Sequence, residues 1–213
     1  MTQDQPCAGQ EQGDQVLHPK SLQESRGGQD ELHYRPERIY LVGMPGSGKS
    51  SSGRVLARLM GYEFEDLDHD IERAAGMSVQ EIFASRGEFF FRELETQCLE
   101  ELHTRSQLVL ATGGGAVLRN MDSMLRKALV LWLDIPVHEL IGRLMVGADR
   151  RPVFRNLSPE NLEMKVWELY RQRQALYALA HRRFVGEQDL LDWGQRIMFL
   201  PRVGSNRPAG GGE

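Results

Sequence analysis

The chain has 213 residues, of which 40% are hydrophobic, with 30 acidic and 26 basic side chains and a net charge of −4. This length supports one well-buried domain or two very small ones, and the charge argues against a protein held to nucleic acid mainly through phosphate contacts. Two cysteines, Cys7 and Cys98, exclude a disulfide framework and favour a reducing compartment, and no apolar run reaches the roughly 18 residues of a membrane span.

The two ends of the chain differ in composition from the middle. Residues 1–36 are rich in glutamine and glycine with few apolar residues, so they bury too little apolar surface to offset their ordering entropy. We expect a disordered extension there, which has the pattern of neither a secretory signal nor an organelle transit peptide. Residues 201–213 form a Gly/Pro tail that we expect to be flexible. The folded domain is therefore predicted over 37–200.

Within that domain, segments typical of strands and of helices alternate. Short apolar runs predict strands over 38–42, 62–66, 107–111 and 129–133. Apolar residues at helical spacing predict helices over 50–60, 68–75, 87–102, 137–146 and 158–180. A further helix is predicted to start at Ser78, because Glu81 stands three residues later in a capping-box pattern. This alternation predicts an α/β fold with helices flanking a parallel sheet.

The first predicted strand leads into a P-loop pattern, Gly43-Met44-Pro45-Gly46-Ser47-Gly48-Lys49-Ser50. Glycines let successive backbone N–H groups converge on phosphate oxygens, and the following helix adds its positive N-terminal end. Lys49 is then expected to reach the β- and γ-phosphates, and the Ser50 hydroxyl is expected to bind Mg²⁺. The alternative is a glycine-rich turn with an incidental lysine. The strand before and the helix after the loop favour a nucleoside triphosphate site.

Two carboxylates, Asp66 and Asp68, stand where the second strand ends, the edge at which open parallel sheets bind ligands. One could hold Mg²⁺ through water while the other accepts the proton of an attacking hydroxyl. The alternative is an acidic first turn of the helix near Ile71, stabilised by the helix dipole. With the P-loop present we favour a functional role for this pair. Asp70 fits the role of helix cap better, and His69 is expected to face solvent without a functional role.

Arg92 and Glu95 are three residues apart on a predicted helix and therefore share one face. Arginine can bind a ligand carboxylate with two parallel hydrogen bonds, and Glu95 could hold the guanidinium in place. Spacing alone, however, favours a surface ion pair that contributes little.

Three later features also allow both a functional and a non-functional interpretation. Gly113-Gly114-Gly115 follow a strand and suggest close backbone approach to a ligand, or else a flexible loop. That strand carries no aspartate that could bind Mg²⁺, so Asp66 becomes the better candidate for the carboxylate next to the metal. Arg151 lies in a polar stretch that resembles a mobile flap over the phosphates, or an ordinary basic loop. Arg173 lies on the helix beyond, and its spacing does not decide between cleft and solvent.

Together these motifs resemble the shikimate kinases, small P-loop kinases of the nucleoside-monophosphate-kinase type. The resemblance covers roughly residues 39–177 and depends on five motifs in family order: Asp66-x-Asp68, Phe91-Arg92-x-x-Glu95, Gly113-Gly114-Gly115, Arg151-Pro152 and Arg173-x-x-Leu176-Tyr177. It implies a five-stranded parallel sheet in the order 2-3-1-4-5, with a helical substrate-binding segment and a lid at about 147–160. It also implies a cytoplasmic monomer that binds neither nucleic acid nor membrane.

The reaction implied by the resemblance is transfer of a phosphoryl group from ATP to the 3-hydroxyl of shikimate, a step of chorismate and aromatic amino acid biosynthesis. On the nucleotide side, the resemblance implies that Lys49 and Arg151 stabilise the transferring group and that Mg²⁺ binds Ser50 directly and Asp66 through water. The residues implied to bind ATP are Pro45, Gly46, Ser47, Gly48, Lys49, Ser50 and Arg151. Adenine contacts are not matched, and Arg143 is a candidate neighbour of the base.

On the acceptor side, the resemblance implies that Arg92 and Arg173 hold the shikimate carboxylate, with Glu95 supporting Arg92. Asp68 would hold the ring hydroxyls and orient or deprotonate the attacking one, and backbone of Gly113, Gly114 and Gly115 would contact substrate. Two alternatives stay open: a kinase of another small anionic polyol such as gluconate, and a non-catalytic nucleotide-binding module. The intact catalytic set, Lys49, Ser50, Asp66, Asp68 and Arg151, argues against the second alternative.

Overall fold

The alternating pattern folds into a parallel sheet covered by helices, as seen in a computed structural model that describes residues 32–147, 154 and 157–202. The strands are β1 (Arg38–Val42), β2 (Glu63–Asp66), β3 (Leu108–Ala111), β4 (Leu129–Leu133) and β5 (Arg182–Phe184). The helices in the described part are α1 (Lys49–Met60), α2 (Leu67–Ala75), α3 (Val79–Ser85), α4 (Gly87–Leu102), α5 (Val117–Lys127), α6 (Val137–Gly147), α7 (Pro159–Tyr177) and α8 (Glu187–Ile197). None of them is long and apolar enough to cross a membrane.

The sheet has the order β2-β3-β1-β4-β5, which confirms the predicted topology. Strand β1 lies at its centre and pairs in parallel with β3 and β4, so that Ile39 stands opposite Val109 on one side and Leu129 on the other. Helices cover both faces of such a sheet, which is why the central strands are continuous apolar runs. The order brings the ends of β1, β2 and β3 to one edge, where the P-loop, Asp66 and the glycine loop follow them.

Local signals placed several helix ends correctly. Gly61 ends α1 in the left-handed conformation at φ 66°, and its N–H bonds to the carbonyls of Ala57 and Arg58. Ser78 and Glu81 form the predicted capping box at the start of α3. The capping prediction for α2 was wrong: Asp66, rather than Asp70, accepts the N–H of Asp68 at 3.2 Å.

Asp70 instead forms an ion pair of 3.0 Å with Arg73 one turn along α2. The helix begins at Leu67, so Asp70 already lies inside its first turn and Asp66 stands at the capping position. The apolar pattern misled the prediction because Leu67, the first helical residue, was assigned to the connection before the helix.

Three elements were not predicted from the residue pattern: α5, β5 and α8. Strand β5 is three residues long and two of them are arginine, so it lacks an apolar run, although β4 pairs with it through Leu133 and Phe184. Helix α8 follows directly after Gly186 and depends on that strand for its position.

The structured part of the chain extends slightly beyond the predicted limits of 37–200. The N–H of Arg35 bonds to the carbonyl of Pro201 at 2.9 Å, and its guanidinium donates to the carbonyl of Leu200 at 2.8 Å. Leu32 also packs against the core. Residues 1–31 and 203–213, on which the remaining predictions of an extension and a tail fall, lie outside the described residues.

A buried polar chain links the central strand to the helices above it. Tyr40 of β1 hydrogen-bonds His103 Nδ1 at 2.9 Å, and the Nε2 of the same ring bonds Ser123 at 2.9 Å. Burial lowers the pKa of His103 from its ordinary value of 6.5; nearby Glu100 opposes this, while Lys127, Arg38 and Arg126 lower the pKa further. The folded protein therefore keeps this ring neutral at a pH where the unfolded chain binds a proton.

We expect His103 to make the domain less stable in mild acid. As pH falls below about 6.5, the unfolded chain gains a proton that the folded state does not bind, so the free energy of unfolding falls. His103→Gln, which cannot titrate, should lose less stability between pH 7.5 and pH 5 than the unsubstituted protein, as measured by urea unfolding at each pH. His138→Gln, at an exposed site on α6, is the matched control, and equal losses in all three proteins would contradict the assignment.

Candidate active site

The P-loop forms the turn between β1 and α1. Gly46 and Gly48 have φ values of 85° and 90°, a region that favours glycine, and Gly48 caps the start of α1 without a side-chain hydrogen bond. The exposed N–H groups of that first turn and the positive end of the helix dipole therefore face the cleft. This is the arrangement that an anionic ligand such as a triphosphate requires.

Lys49 lies folded back over the loop. Its ammonium donates to the carbonyls of Gly43 and Met44 at 2.9 Å each, and its Nζ lies 3.4 Å from Ser47 Oγ. Ser47 is fully buried, so it lies inside the loop, whereas its neighbours Gly46 and Gly48 line the cavity. Lys49 is itself only 8% exposed, which places a positive charge in a poorly solvated position beside the phosphate-binding turn.

Asp66 and Asp68 lie against the P-loop as the strand order requires. The Ser50 hydroxyl donates to Asp66 Oδ2 at 2.6 Å, which joins the first turn of α1 to the end of β2. Burial raises the pKa of Asp68, the charge of Asp66 raises it further, and Lys49 opposes both effects. Asp68 is therefore a carboxylate with increased basicity, placed between the nucleotide loop and the other half of the cleft.

Arg92 and Glu95 form an internal ion pair, and the reading favoured by spacing alone, a surface pair, was wrong. Glu95 is fully buried, and Arg92 Nη1 donates to both of its carboxylate oxygens at 3.0 and 2.9 Å. Burial raises the pKa of Glu95, whereas the charge and hydrogen bonds of Arg92 lower it. Glu95 binds one nitrogen of the guanidinium, and the exposed Glu88 accepts from the other two, Nη2 and Nε, at 3.3 and 3.4 Å. The guanidinium still lines the cleft.

The three glycines after β3 leave space for polar groups of the site. A Cβ on Gly113 would lie 2.8 Å from Asp68 Oδ1, and one on Gly115 would lie 2.5 Å from Arg92 Nη2. A Cβ on Gly114 would lie 2.8 Å from Pro45 Cδ and 3.3 Å from Arg173 Nη1. Glycine is required here for close approach by neighbours, rather than for an unusual backbone angle.

Arg173 enters the same cleft from α7, which settles the alternative that spacing left open. It is only 7% exposed, and its Nε is buried without a hydrogen-bond partner among the described residues. A buried guanidinium donor without an acceptor destabilises the folded protein unless a bound ligand accepts its hydrogen bond. Together with Arg92, it gives this half of the cleft two cations and one internal carboxylate.

These groups line one cavity of about 740 Å³. The sequence-predicted site residues that line it are Pro45, Gly46, Gly48, Lys49, Ser50, Asp66, Asp68, Arg92, Glu95, Gly113, Gly114, Gly115 and Arg173. Phe83 and Phe91, with ring centroids 4.7 Å apart, add an apolar wall. Arg151 and the lid residues 148–153, 155 and 156 lie outside the described residues, whereas Phe154 of the same segment is buried at the cavity.

Two features of the cleft were missed in the sequence. The Tyr177 hydroxyl donates to the Gly114 carbonyl at 2.6 Å, a role that its position in the Arg173-x-x-Leu176-Tyr177 motif could have suggested. Glu187, at the start of α8, pairs with Arg143 at 2.7 Å and accepts from Ser52 at 3.2 Å beside the P-loop. No pattern indicated Glu187, because the strand that precedes it was not predicted.

The donor set at Ser50 and Asp66 fits a hard divalent cation. A hydroxyl and a carboxylate oxygen stand 2.6 Å apart at the phosphate-binding turn, and oxygen is the donor that Mg²⁺ prefers. In the described part of the chain, no cluster of three or more histidine, cysteine, aspartate or glutamate side chains is arranged to hold a metal.

Comparison with known proteins agrees with this geometry. The family model described as shikimate kinase matches residues 45–194. The shikimate kinase of Synechococcus elongatus is 46% identical over 150 residues, which cover 70% of this chain and 77% of the relative. A shikimate kinase structure from Acinetobacter baumannii in complex with shikimate is 40% identical, with a TM-score of 0.69, and the match covers 76% of this chain and 90% of that one. A second, from Bacteroides thetaiotaomicron, is 30% identical with a TM-score of 0.71, covering 76% and 97%.

The family match thus runs from the P-loop to the last described helix and includes both halves of the cleft. The chain belongs to the shikimate kinase family.

Proposed function

We propose that this protein transfers the γ-phosphoryl group of ATP to the 3-hydroxyl of shikimate, giving shikimate 3-phosphate and ADP in aromatic biosynthesis. The observation that carries the proposal is the single cleft that joins a P-loop to two arginines, Arg92 and Arg173, with Asp68 between them. Shikimate carries one carboxylate and three hydroxyls on a ring, which matches a cationic pocket beside a basic carboxylate. The relative from A. baumannii, whose structure contains shikimate, supports this choice of acceptor.

On the nucleotide side, the P-loop backbone from Pro45 to Gly48 would hold the phosphates. Lys49 would exchange its bonds to the Gly43 and Met44 carbonyls for the β- and γ-phosphates. That exchange keeps the ammonium hydrogen-bonded throughout, and its charge would offset the negative charge that builds up on the transferring group.

Mg²⁺ would be held by Ser50 directly and by Asp66 through water, both of which lie at the turn. When bound, the cation neutralises charge on the β- and γ-phosphates. Asp66 keeps a second role without it, because its other oxygen accepts the Asp68 N–H and thereby fixes the start of α2.

On the acceptor side, Arg92 and Arg173 would bind the shikimate carboxylate, with Glu95 holding Arg92 in place. The Nε of Arg173 is buried without a partner among the described residues, which supports this assignment because a ligand carboxylate would satisfy it. Asp68 would then accept the proton of the attacking hydroxyl, for which its increased basicity is suited. Backbone of Gly113, Gly114 and Gly115 would complete the contact with the ring.

Arg151 is proposed to approach the transferring phosphoryl group from the lid, where it would add positive charge in the transition state. A closed lid over 147–160 would also exclude water and so limit hydrolysis of ATP. We further propose that the enzyme acts as a cytoplasmic monomer, as the family resemblance implies.

A coupled assay of ADP release tests the function. With Mg²⁺ present, we expect ADP release to depend on shikimate, to be much weaker with gluconate and to be near background without an acceptor. Shikimate-independent release, or release driven equally by gluconate, would contradict the proposed acceptor. Nucleotide binding without any acceptor-dependent turnover would instead support a non-catalytic module.

Asp68→Asn should lower kcat by at least about a hundredfold, because the amide cannot accept the hydroxyl proton. The KM for ATP should change little, since the P-loop contacts remain. Asp70→Asn on the same helix, where Asp70 pairs with Arg73 at 3.0 Å, is the matched control and should keep near-normal turnover. Near-normal turnover of Asp68→Asn itself would remove Asp68 from the mechanism.

Arg92→Lys should raise the KM for shikimate by at least about tenfold, with the KM for ATP unchanged. Lysine keeps a cation beside buried Glu95 but loses the planar fork that binds a carboxylate. Arg119→Lys, at an exposed pair with Glu93, provides the control. Kinetics at varied shikimate and ATP would measure both constants, and an unchanged KM for shikimate would place its carboxylate elsewhere.

A further inference from the structure

Tyr177 is the most deeply enclosed polar side chain on the acceptor side of the cleft that has no assigned role. It is fully buried at the end of α7, and its ring stacks on Trp132 of β4 with centroids 5.9 Å apart. Its hydroxyl donates to the Gly114 carbonyl at 2.6 Å. Burial raises the pKa of Tyr177 to about 12, with the nearby Arg173 opposing the increase, so the hydroxyl keeps its proton at physiological pH.

The bond to Gly114 differs from the other anchors of the glycine loop. The carbonyls of Gly113 and Gly115 accept hydrogen bonds within local turns, from the N–H groups of Ala116 and Leu118 at 3.1 and 3.0 Å. Among the described residues, Gly114 is the member of the three whose carbonyl is held by a side chain from a distant element. Tyr177 therefore sets where the middle of the loop lies relative to α7.

Arg173 is placed by the same helix, one turn before Tyr177. Residues four apart share a helix face, so the guanidinium and the phenol both reach the glycine loop. A Cβ on Gly114 would lie 3.3 Å from Arg173 Nη1, which shows how closely the two approach. Tyr177 also has a side-chain hydrogen bond with Arg173, so the Arg173 guanidinium and the carbonyl of Gly114 both contact one hydroxyl.

We propose that Tyr177 is a positioning residue that holds the glycine loop against α7 so that Arg173 and the loop backbone meet the acceptor together. The inference rests on the proposed function, because the acceptor is the shikimate assigned above. The Tyr177 hydroxyl bonds to Gly114, whereas the Lys49 ammonium bonds to Gly43 and Met44, so we expect Tyr177 to act on acceptor binding more than on the nucleotide.

The test is Tyr177→Phe, which keeps the ring on Trp132 and removes only the hydroxyl. The Gly114 carbonyl then loses its buried donor, and we expect the KM and Kd for shikimate to rise about five- to thirtyfold. The KM for ATP should stay within about twofold, and kcat should change less than the KM for shikimate. Steady-state kinetics and calorimetric titration of shikimate measure these values.

Tyr62→Phe is the matched control, because it removes a tyrosine hydroxyl that donates to the Pro36 carbonyl at 2.9 Å away from the cleft. Both variants are expected to lose some thermal stability, but only Tyr177→Phe should weaken shikimate binding. An unchanged affinity for shikimate in folded Tyr177→Phe, or an equal loss of affinity for ATP and shikimate, would overturn the proposal.

Should Tyr177→Phe not fold, difluorotyrosine introduced at position 177 keeps the ring and the hydroxyl while lowering the pKa of the phenol. Arg173 is the charged group that faces it and would favour the ionised form. The KM for shikimate should then rise with pH in that protein and not in the unsubstituted one, whereas parallel profiles would overturn the proposal.

If the unsubstituted protein does not phosphorylate shikimate, the proposed function fails instead, which separates the two failures.

Discussion

The site depends on the close approach of three polar side chains to a stretch of backbone that has no side chains of its own. A Cβ on Gly113 would meet Asp68 and one on Gly115 would meet Arg92, whereas one on Gly114 would meet Pro45 first, with Arg173 Nη1 at 3.3 Å. Since those polar side chains come from α2, α4 and α7, the glycine loop is where three separate parts of the chain meet. Any larger residue there would displace one of these groups, which in a close-packed interior shifts its neighbours as well.

Charge is divided along the cleft. The nucleotide half combines Lys49 and the N-terminal end of α1 with the carboxylate of Asp66, which suits a triphosphate accompanied by a cation. The other half contains two arginines, Arg92 and Arg173, and one buried carboxylate, Glu95, and this balance suits an anionic ligand. Asp68 stands between the halves, where burial and the charge of Asp66 increase its basicity.

Much of this was predictable because it is local. The P-loop, the capping box at Ser78 and the stop at Gly61 each depend on residues within one turn of one another, and each was confirmed. Strand β5 was missed because three residues, two of them arginine, carry no apolar pattern of their own. Glu187 was missed for the same reason, since its place beside the P-loop follows from that strand.

The sequence by itself determined strands β1 to β4, most of the helices and the family motifs, because periodicity, glycine and capping residues act over short distances. Only the tertiary structure decided where Arg92, Glu95 and Arg173 lie. Spacing three apart on a helix is the same for a surface ion pair and for a buried one, and burial depends on what packs against that face. Here Glu95 is fully enclosed and Arg173 has a buried donor without a partner in the described residues, so both arginines belong to the cleft.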